Sequence, residues 1–209
     1  MRIWYFIAGL VIALVALFSP LENMATELFS AHMVQHLILV FVVPPQFVAG
    51  WPSARRIPAL LTVPLVVLVV HATAMWVWHL PVLYDAALAN DLVHMLEHMS
   101  FLVTGLLFWG VVSARFRDLD RLPRVGLVFG TALASGALGA VLAFASAPLY
   151  ESHLQTTEDW GLTALEDQQL AGGIMWVPPG VVYLVVMLVL LARWLNAMDT
   201  DAAATGGAR

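Results

Sequence analysis

HMLEHMSFLVTGLLFW, residues 94–109, decides how the rest of the chain is read. Its second half is an apolar run of the kind that crosses a membrane. Its first six positions hold two histidines, two methionines and a glutamate. Polar and ionisable groups are costly in a bilayer, and those that occur there face a bundle interior or a site. This stretch therefore predicts a membrane helix with one chemically loaded face.

Composition agrees. The chain has 209 residues, 61% hydrophobic and 11% charged, whereas soluble domains carry about 25% charged residues. Cysteine is absent, which excludes disulfide scaffolds, CxxC redox motifs and thiolate metal shuttles. Lysine is absent too, so all nine basic residues are arginines. The first apolar run follows Arg2 and ends in FSPLEN, without a small-x-small cleavage site, and reads as a retained helix.

A span needs about 20 mostly apolar residues. Six segments qualify, at 3–19, 28–48, 58–78, 92–112, 125–147 and 170–194. The expected fold is all-α, a polytopic bundle of six transmembrane helices over residues 1–195, with a disordered tail at 196–209. Arg2, Arg55, Arg56, Arg115, Arg117, Arg121, Arg124, Arg193 and Arg209 fall on one side of that arrangement. The positive-inside rule makes that side, and both termini, cytoplasmic. The outer segments hold Glu22, Glu27, Asp85, Asp91, Glu151, Glu158, Asp159, Glu166 and Asp167. They form either an anionic surface that concentrates cations or a solvated loop surface.

Local signals order the outer loops. Pro81 opens a short helix, Asp91 is placed to cap the fourth span, and Thr163-Ala-Leu-Glu166 is a capping box for the last helix. Proline pairs at 44–45 and 178–179 are expected to break spans two and six, freeing carbonyls that protein or water must satisfy. Gly126-xxx-Gly130 and the GALGA segment at 136–140 suit close helix packing.

At about 100° per residue, His94 and His98 share a face, flanked by Met95, Met99 and Glu97. The HMVQH stretch in span two repeats the design: His32 and His36 share a face, with Met33 and Gln35 beside them. Span three carries His71, Met75, Trp78 and His79 as a stripe, and span six adds Gln168 and Met175. At about 1.5 Å per residue, His32, His36, His71, His94, His98, Met75 and Met175 share the outer half of the bilayer. Two His-x-x-x-His pairs at matching depth point to a metal or redox site. Imidazole suits zinc, copper, iron and nickel, and thioether favours Cu(I). Methionine beside histidine leans to copper, although bis-histidine haem ligation fits the same pairs. HMLEH also matches the inverted zincin pattern, without a third ligand to support it.

Taken in order, SPL (19–21), LFSAHMVQHL (28–37), the proline pair at 44–45, WVWHLPVLYDAAL (76–88), HMLEHMSFLVTGLLFW (94–109), PLY (148–150) and LEDQQLAGGIMWVPPG (165–180) resemble the CtaG-like bacterial cytochrome c oxidase assembly factors. The resemblance covers most of residues 19–180. It implies a non-enzymatic role in maturing a haem-copper oxidase, through copper supply to its catalytic subunit, in the bacterial cytoplasmic membrane. By motif it carries over His32, His36, His79, His94 and His98, and more weakly Asp167, Gln168 and Met175. Family members usually have a further helix before the segment that begins this chain, and the six-span reading with an inside N-terminus is self-consistent without it.

The expected metal set is His32, His36, His71, His79, His94, His98, Met33, Met75, Met95, Met99, Met175, Glu97 and Asp167. Cu(I) would meet His79, His153 and Met24 first, be held between spans two, three and four, and pass on by ligand exchange. Membrane lipid and the oxidase are the expected partners, with a homodimer compatible and no nucleic acid. The alternative is a membrane oxidoreductase with a histidine-rich di-iron or b-type haem centre. A third reading makes the histidines packing groups only.

Overall fold

The computed structural model describes residues 3–51, 57–116 and 121–206, and every regular element among them is helical. The α-helices are α1 (Ile3–Phe18), α2 (Pro20–Glu27), α3 (Phe29–Leu37), α4 (Val43–Gly50), α5 (Pro64–Trp78), α6 (Pro81–Ala89), α7 (Asp91–Val112), α8 (Arg121–Ala143) and α9 (Ala164–Gly206). Arg2, Arg55, Arg56, Arg117 and Arg209 lie outside the described residues.

Four continuous helical stretches are long and apolar enough to cross a membrane: Phe29–Gly50, Asp91–Val112, Arg121–Ala143 and Ala164–Met198. Two bent pairs, α1 with α2 at 47° and α5 with α6 at 71°, raise the number to six if each pair is one span. The bends have local causes. Ser19 caps α2 with Pro20 behind it. Leu80 is extended (φ −66°, ψ 130°) before Pro81, as a residue preceding proline prefers.

The proline pairs behave differently from each other. Pro44 cannot donate to the carbonyl of Val40. A short π-helical stretch, Ile38–Val42, precedes it, and α4 starts at Val43. The freed Val40 carbonyl instead accepts the indole N–H of Trp109 on α7 at 2.8 Å. Gly105 of α7 lies against the same turn, where a Cβ would come within 3.1 Å of Pro44. Pro178 and Pro179, by contrast, sit inside α9 without ending it. That helix also continues through residues 196–206, where a disordered tail is expected.

Small residues pull α8 onto α9. A Cβ at Gly172 would fall 2.3 Å from the backbone nitrogen of Ala143, and one at Gly139 would meet Trp176 at 2.9 Å. The GALGA segment is thus a packing face. Gly130 packs on Leu68, while Gly126 has open space beside it.

Loop caps correct one expectation. Asn90, rather than Asp91, caps α7, accepting from the amides of Leu92 and Val93. The Thr163–Glu166 capping box forms as expected: the Thr163 amide donates to Glu166 at 2.8 Å and the Glu166 amide to Thr163 at 3.3 Å. At the opposite end of the bundle, Arg115 donates to the Ala49 carbonyl and Arg124 to that of Val112. Val112 is fourteen residues beyond His98 on α7, about 21 Å along the helix.

Candidate metal centre

The first turns of α3 and α7 face each other, and the two His-x-x-x-His pairs interlock there. One nitrogen from each of His32, His36 and His98 and one oxygen of Glu97 all lie within 4.8 Å of one another. Glu97 sits between the first two: its oxygens are 3.6 Å from His32 Nε2 and 3.6 Å from His36 Nε2. The rings touch, with centroids 4.2 Å apart for His32–His36 and 5.5 Å for His36–His98. Glu97 has no exposed surface, and all three histidines are buried.

None of these groups has the partners its burial demands. Both nitrogens of His32 and His36, both oxygens of Glu97 and Nε2 of His98 are buried without a hydrogen bond. Buried polar atoms are paired in the great majority of cases. Here the exception is concentrated in atoms of types that can ligate a metal, which makes the cluster a candidate metal centre.

His94 forms the rim. Its side chain is 15% exposed, its ring stacks on His32 at 5.3 Å and touches His98 at 4.1 Å, and Nδ1 is 3.9 Å from Glu22. Glu22 also accepts from the amide of Gln35, whose other donor contact is the Ala16 carbonyl at 2.9 Å. The sequence places Glu22 only within the acidic outer segments, without singling it out as a site residue. Its only signal was its place in the SPLEN stretch, close in sequence to the first histidine pair.

Several expected ligands stand elsewhere. Met95 and Met99 are 54% and 49% exposed on α7, on the flank of the histidine stripe opposite Glu97. His71 is buried apart from the cluster, with Nδ1 2.9 Å from Thr104 Oγ1 and its ring stacked on Phe108. Asp167 accepts from the amides of Phe29 (2.6 Å) and Ser30 (3.2 Å) and from the Ser30 hydroxyl. It caps α3, whose own N-cap residue Leu28 has no side-chain bond to give. Gln168 accepts from the amide of Leu149. Met33, Met75, Met175 and His79 gather beside His36, around a small cavity.

The surface groups expected to meet cations first are also engaged. His153 is buried, with Nε2 on the Tyr84 hydroxyl (2.8 Å) and Nδ1 on the Glu27 carbonyl (3.1 Å). Asp85 accepts from Ser152 and Glu27 from the Trp160 indole. Much of the acidic layer is loop architecture, and the carboxylate that reaches the rim is Glu22.

Residues 1–197 match the family of cytochrome c oxidase caa3 assembly factors, Caa3_CtaG. The chain belongs to this family. Among curated relatives, it is 23% identical over 206 aligned positions to the uncharacterized Mycobacterium bovis protein Mb0105 and to the Mycobacterium tuberculosis protein MT0111. A Mycobacterium leprae protein, ML1998, is 21% identical. In each case 84% of this chain is covered but 31% of the relative, so the chain spans about a third of the length of the relatives it matches. No solved structure matches. The motifs that first suggested the CtaG-like family converge on one end of the bundle: α3 and α7 hold the histidines, the start of α9 caps α3, and Tyr150 of the PLY segment donates to the His79 carbonyl at 2.9 Å.

Proposed function

We propose that this chain serves cytochrome c oxidase assembly by holding a copper ion as cargo at His32, His36, His98 and Glu97 and releasing it to the oxidase's catalytic subunit. The carrying observation is the set of buried imidazole and carboxylate atoms with no hydrogen-bond partner. Imidazole binds copper, zinc and iron alike, and the role of the family in building a cytochrome oxidase favours copper. Protein ligands stand about 2 Å from a borderline metal, so a cluster spanning 4.8 Å closes on one ion with small side-chain shifts.

The cargo arrives through the rim. Glu22 and His94 are the partly exposed members of the constellation, and His94 touches both His32 and His98. Stepwise exchange of one imidazole for another moves the ion inward without changing its oxidation state. The cluster end lies on the outer side of the bacterial cytoplasmic membrane, and the arginine-rich end lies inside, by the positive-inside rule. The role is non-enzymatic.

The haem alternative has less support. The imidazoles lie in mutual ring contact and Phe101 packs on His36 at 4.5 Å, so a porphyrin would have to part α3 from α7. The test is elemental analysis of the full chain in detergent after loading with copper under reducing conditions. Wild type is expected to retain copper and the His32→Ala/His98→Ala variant to lose the ion held by the cluster. Unchanged copper in that folded variant, or iron in its place in the wild type, would sink the reading.

A further inference from the structure

We infer that the chain has a second soft-metal site, separate from the imidazole–carboxylate cluster, in the thioether pocket formed by Met33, Met75, Met175 and His79. The inference extends the copper reading above, to which it adds a second station.

The pocket encloses about 30 Å³ between α3, α5, α7 and α9. Met33, Met75, Met175 and His79 are all buried. By itself this would be ordinary core, since methionine commonly fills irregular gaps. One contact is not ordinary. His79 Nδ1 lies 2.6 Å from the Met75 carbonyl oxygen. A carbonyl can only accept, so Nδ1 carries the hydrogen, and the neutral ring has its lone pair on Nε2. That lone pair faces the sulfur of Met33 at 3.2 Å. A thioether has no hydrogen to donate. Two electron-pair donors therefore meet head-on, with nothing between them to share.

Three things could resolve such a contact. A second proton on His79 would place a charge in the cavity, whose lining contains no carboxylate to balance it, and an uncompensated buried charge is costly. A water would fit by volume, and His79 Nε2 and His36 offer it polar partners, but a nitrogen and a sulfur only 3.2 Å apart are too close for one water to donate to both. A cation that accepts both lone pairs satisfies every atom. Neutral nitrogen with thioether sulfur is a donor set for a soft, singly charged ion, Cu(I) above others.

His36 connects the two sites. It belongs to the cluster and also lines the pocket, with its ring 5.9 Å from that of His79. Transfer between them is ligand exchange: Cu–N bonds to the cluster imidazoles and the Cu–O bond to Glu97 break as Cu–S and Cu–N bonds to Met33 and His79 form. The copper remains Cu(I), so no oxidant or reductant is required. An ion leaving a carboxylate for neutral thioethers is more readily handed to an acceptor inside the membrane.

The experiment is X-ray absorption and stoichiometry on the full chain in detergent, titrated with Cu(I) without oxygen. Wild type is expected to bind two equivalents, with sulfur neighbours at about 2.3 Å, the usual metal–sulfur distance. Met33→Leu/Met75→Leu/Met175→Leu conserves volume and is expected to lose one equivalent and the sulfur signal. His32→Gln/His98→Gln is expected to lose the other equivalent and keep the sulfur signal. Ag(I) added to wild type needs no variant and is expected to show sulfur ligation. Nitrogen and oxygen neighbours alone, with either ion in wild type, would overturn the pocket and leave the cluster reading intact. A persistent sulfur signal in the methionine variant would also overturn it. Full copper retention in the histidine variant, sulfur included, would instead remove the cluster and spare the pocket.

Discussion

Within α3, residues two apart show two uses of buried polar groups. Ser30 and the backbone around it meet Asp167 from the start of α9, and each carboxylate oxygen accepts from that end of α3. His32, one half-turn on, meets His36, Glu97 and His98, and the facing nitrogens and oxygens there have no hydrogen bonds. Both junctions are buried. Burial and charge alone therefore do not separate a structural device from a candidate site. The completeness of the hydrogen bonding does, because an unpaired buried group costs stability and leaves its lone pairs available to a ligand.

The contrast predicts opposite signs. Asp167→Ala strips the cap from α3 and leaves buried amides without an acceptor. Its expected cost is about 1–3 kcal/mol, seen as a lower Tm of the metal-free protein in detergent; an unchanged Tm would break the comparison. Glu97→Gln instead replaces a buried carboxyl that has no hydrogen-bond partner with a neutral group of similar shape, so no satisfied contact is lost. The metal-free Tm is expected to stay or rise while copper binding weakens. A large fall in Tm would show that Glu97 is structural after all.

Histidines outside the cluster sharpen the same line. His71→Gln gives up the bond to Thr104 and is expected to cost about 1 kcal/mol with copper stoichiometry intact. Loss of copper would bring His71 back among the ligands. His153 tests the satisfied loop by pH. Burial pushes its imidazole below the ordinary 6.5, so below that pH the unfolded loop takes up more protons than the folded one. Stability contributed there is present at pH 7 and falls as pH drops below 6.5. Faster amide exchange over residues 150–161 at pH 5 than expected from chemistry alone would show it, and His153→Gln should flatten the dependence. The smallest effect belongs to Met95→Leu/Met99→Leu, within about 0.5 kcal/mol and without change in copper. A loss of copper there would contradict their outward position.

Helical periodicity made much of this legible in advance. An interval of four residues returns a side chain to the same face, so the pairings of His32 with His36 and of His94 with His98 follow from spacing. So do the all-helical fold and the capping box at Thr163. The same 100° step also set Met95 and Met99 aside from that face. Proximity in spacing was no guide to which flanking residue turned inward, and Glu97 did while the methionines did not.

What the chain order could not contain was the choice of neighbour across the bundle. Asp167 enters as a weaker ligand candidate through the family resemblance, and only the packing of α9 on α3, 138 residues apart in sequence, makes it a helix cap. Pro44 announces a free carbonyl, but Trp109 as its partner depends on how α7 crosses the π-helical turn. Likewise, one expected His/Met layer became two places, an imidazole–carboxylate cluster and a thioether pocket, because α5 and α9 bring their sulfurs beside His36. The sequence determined which groups share a helix face, since that is set by local backbone geometry. The tertiary structure decided which faces meet, since that depends on close packing between helices far apart along the chain.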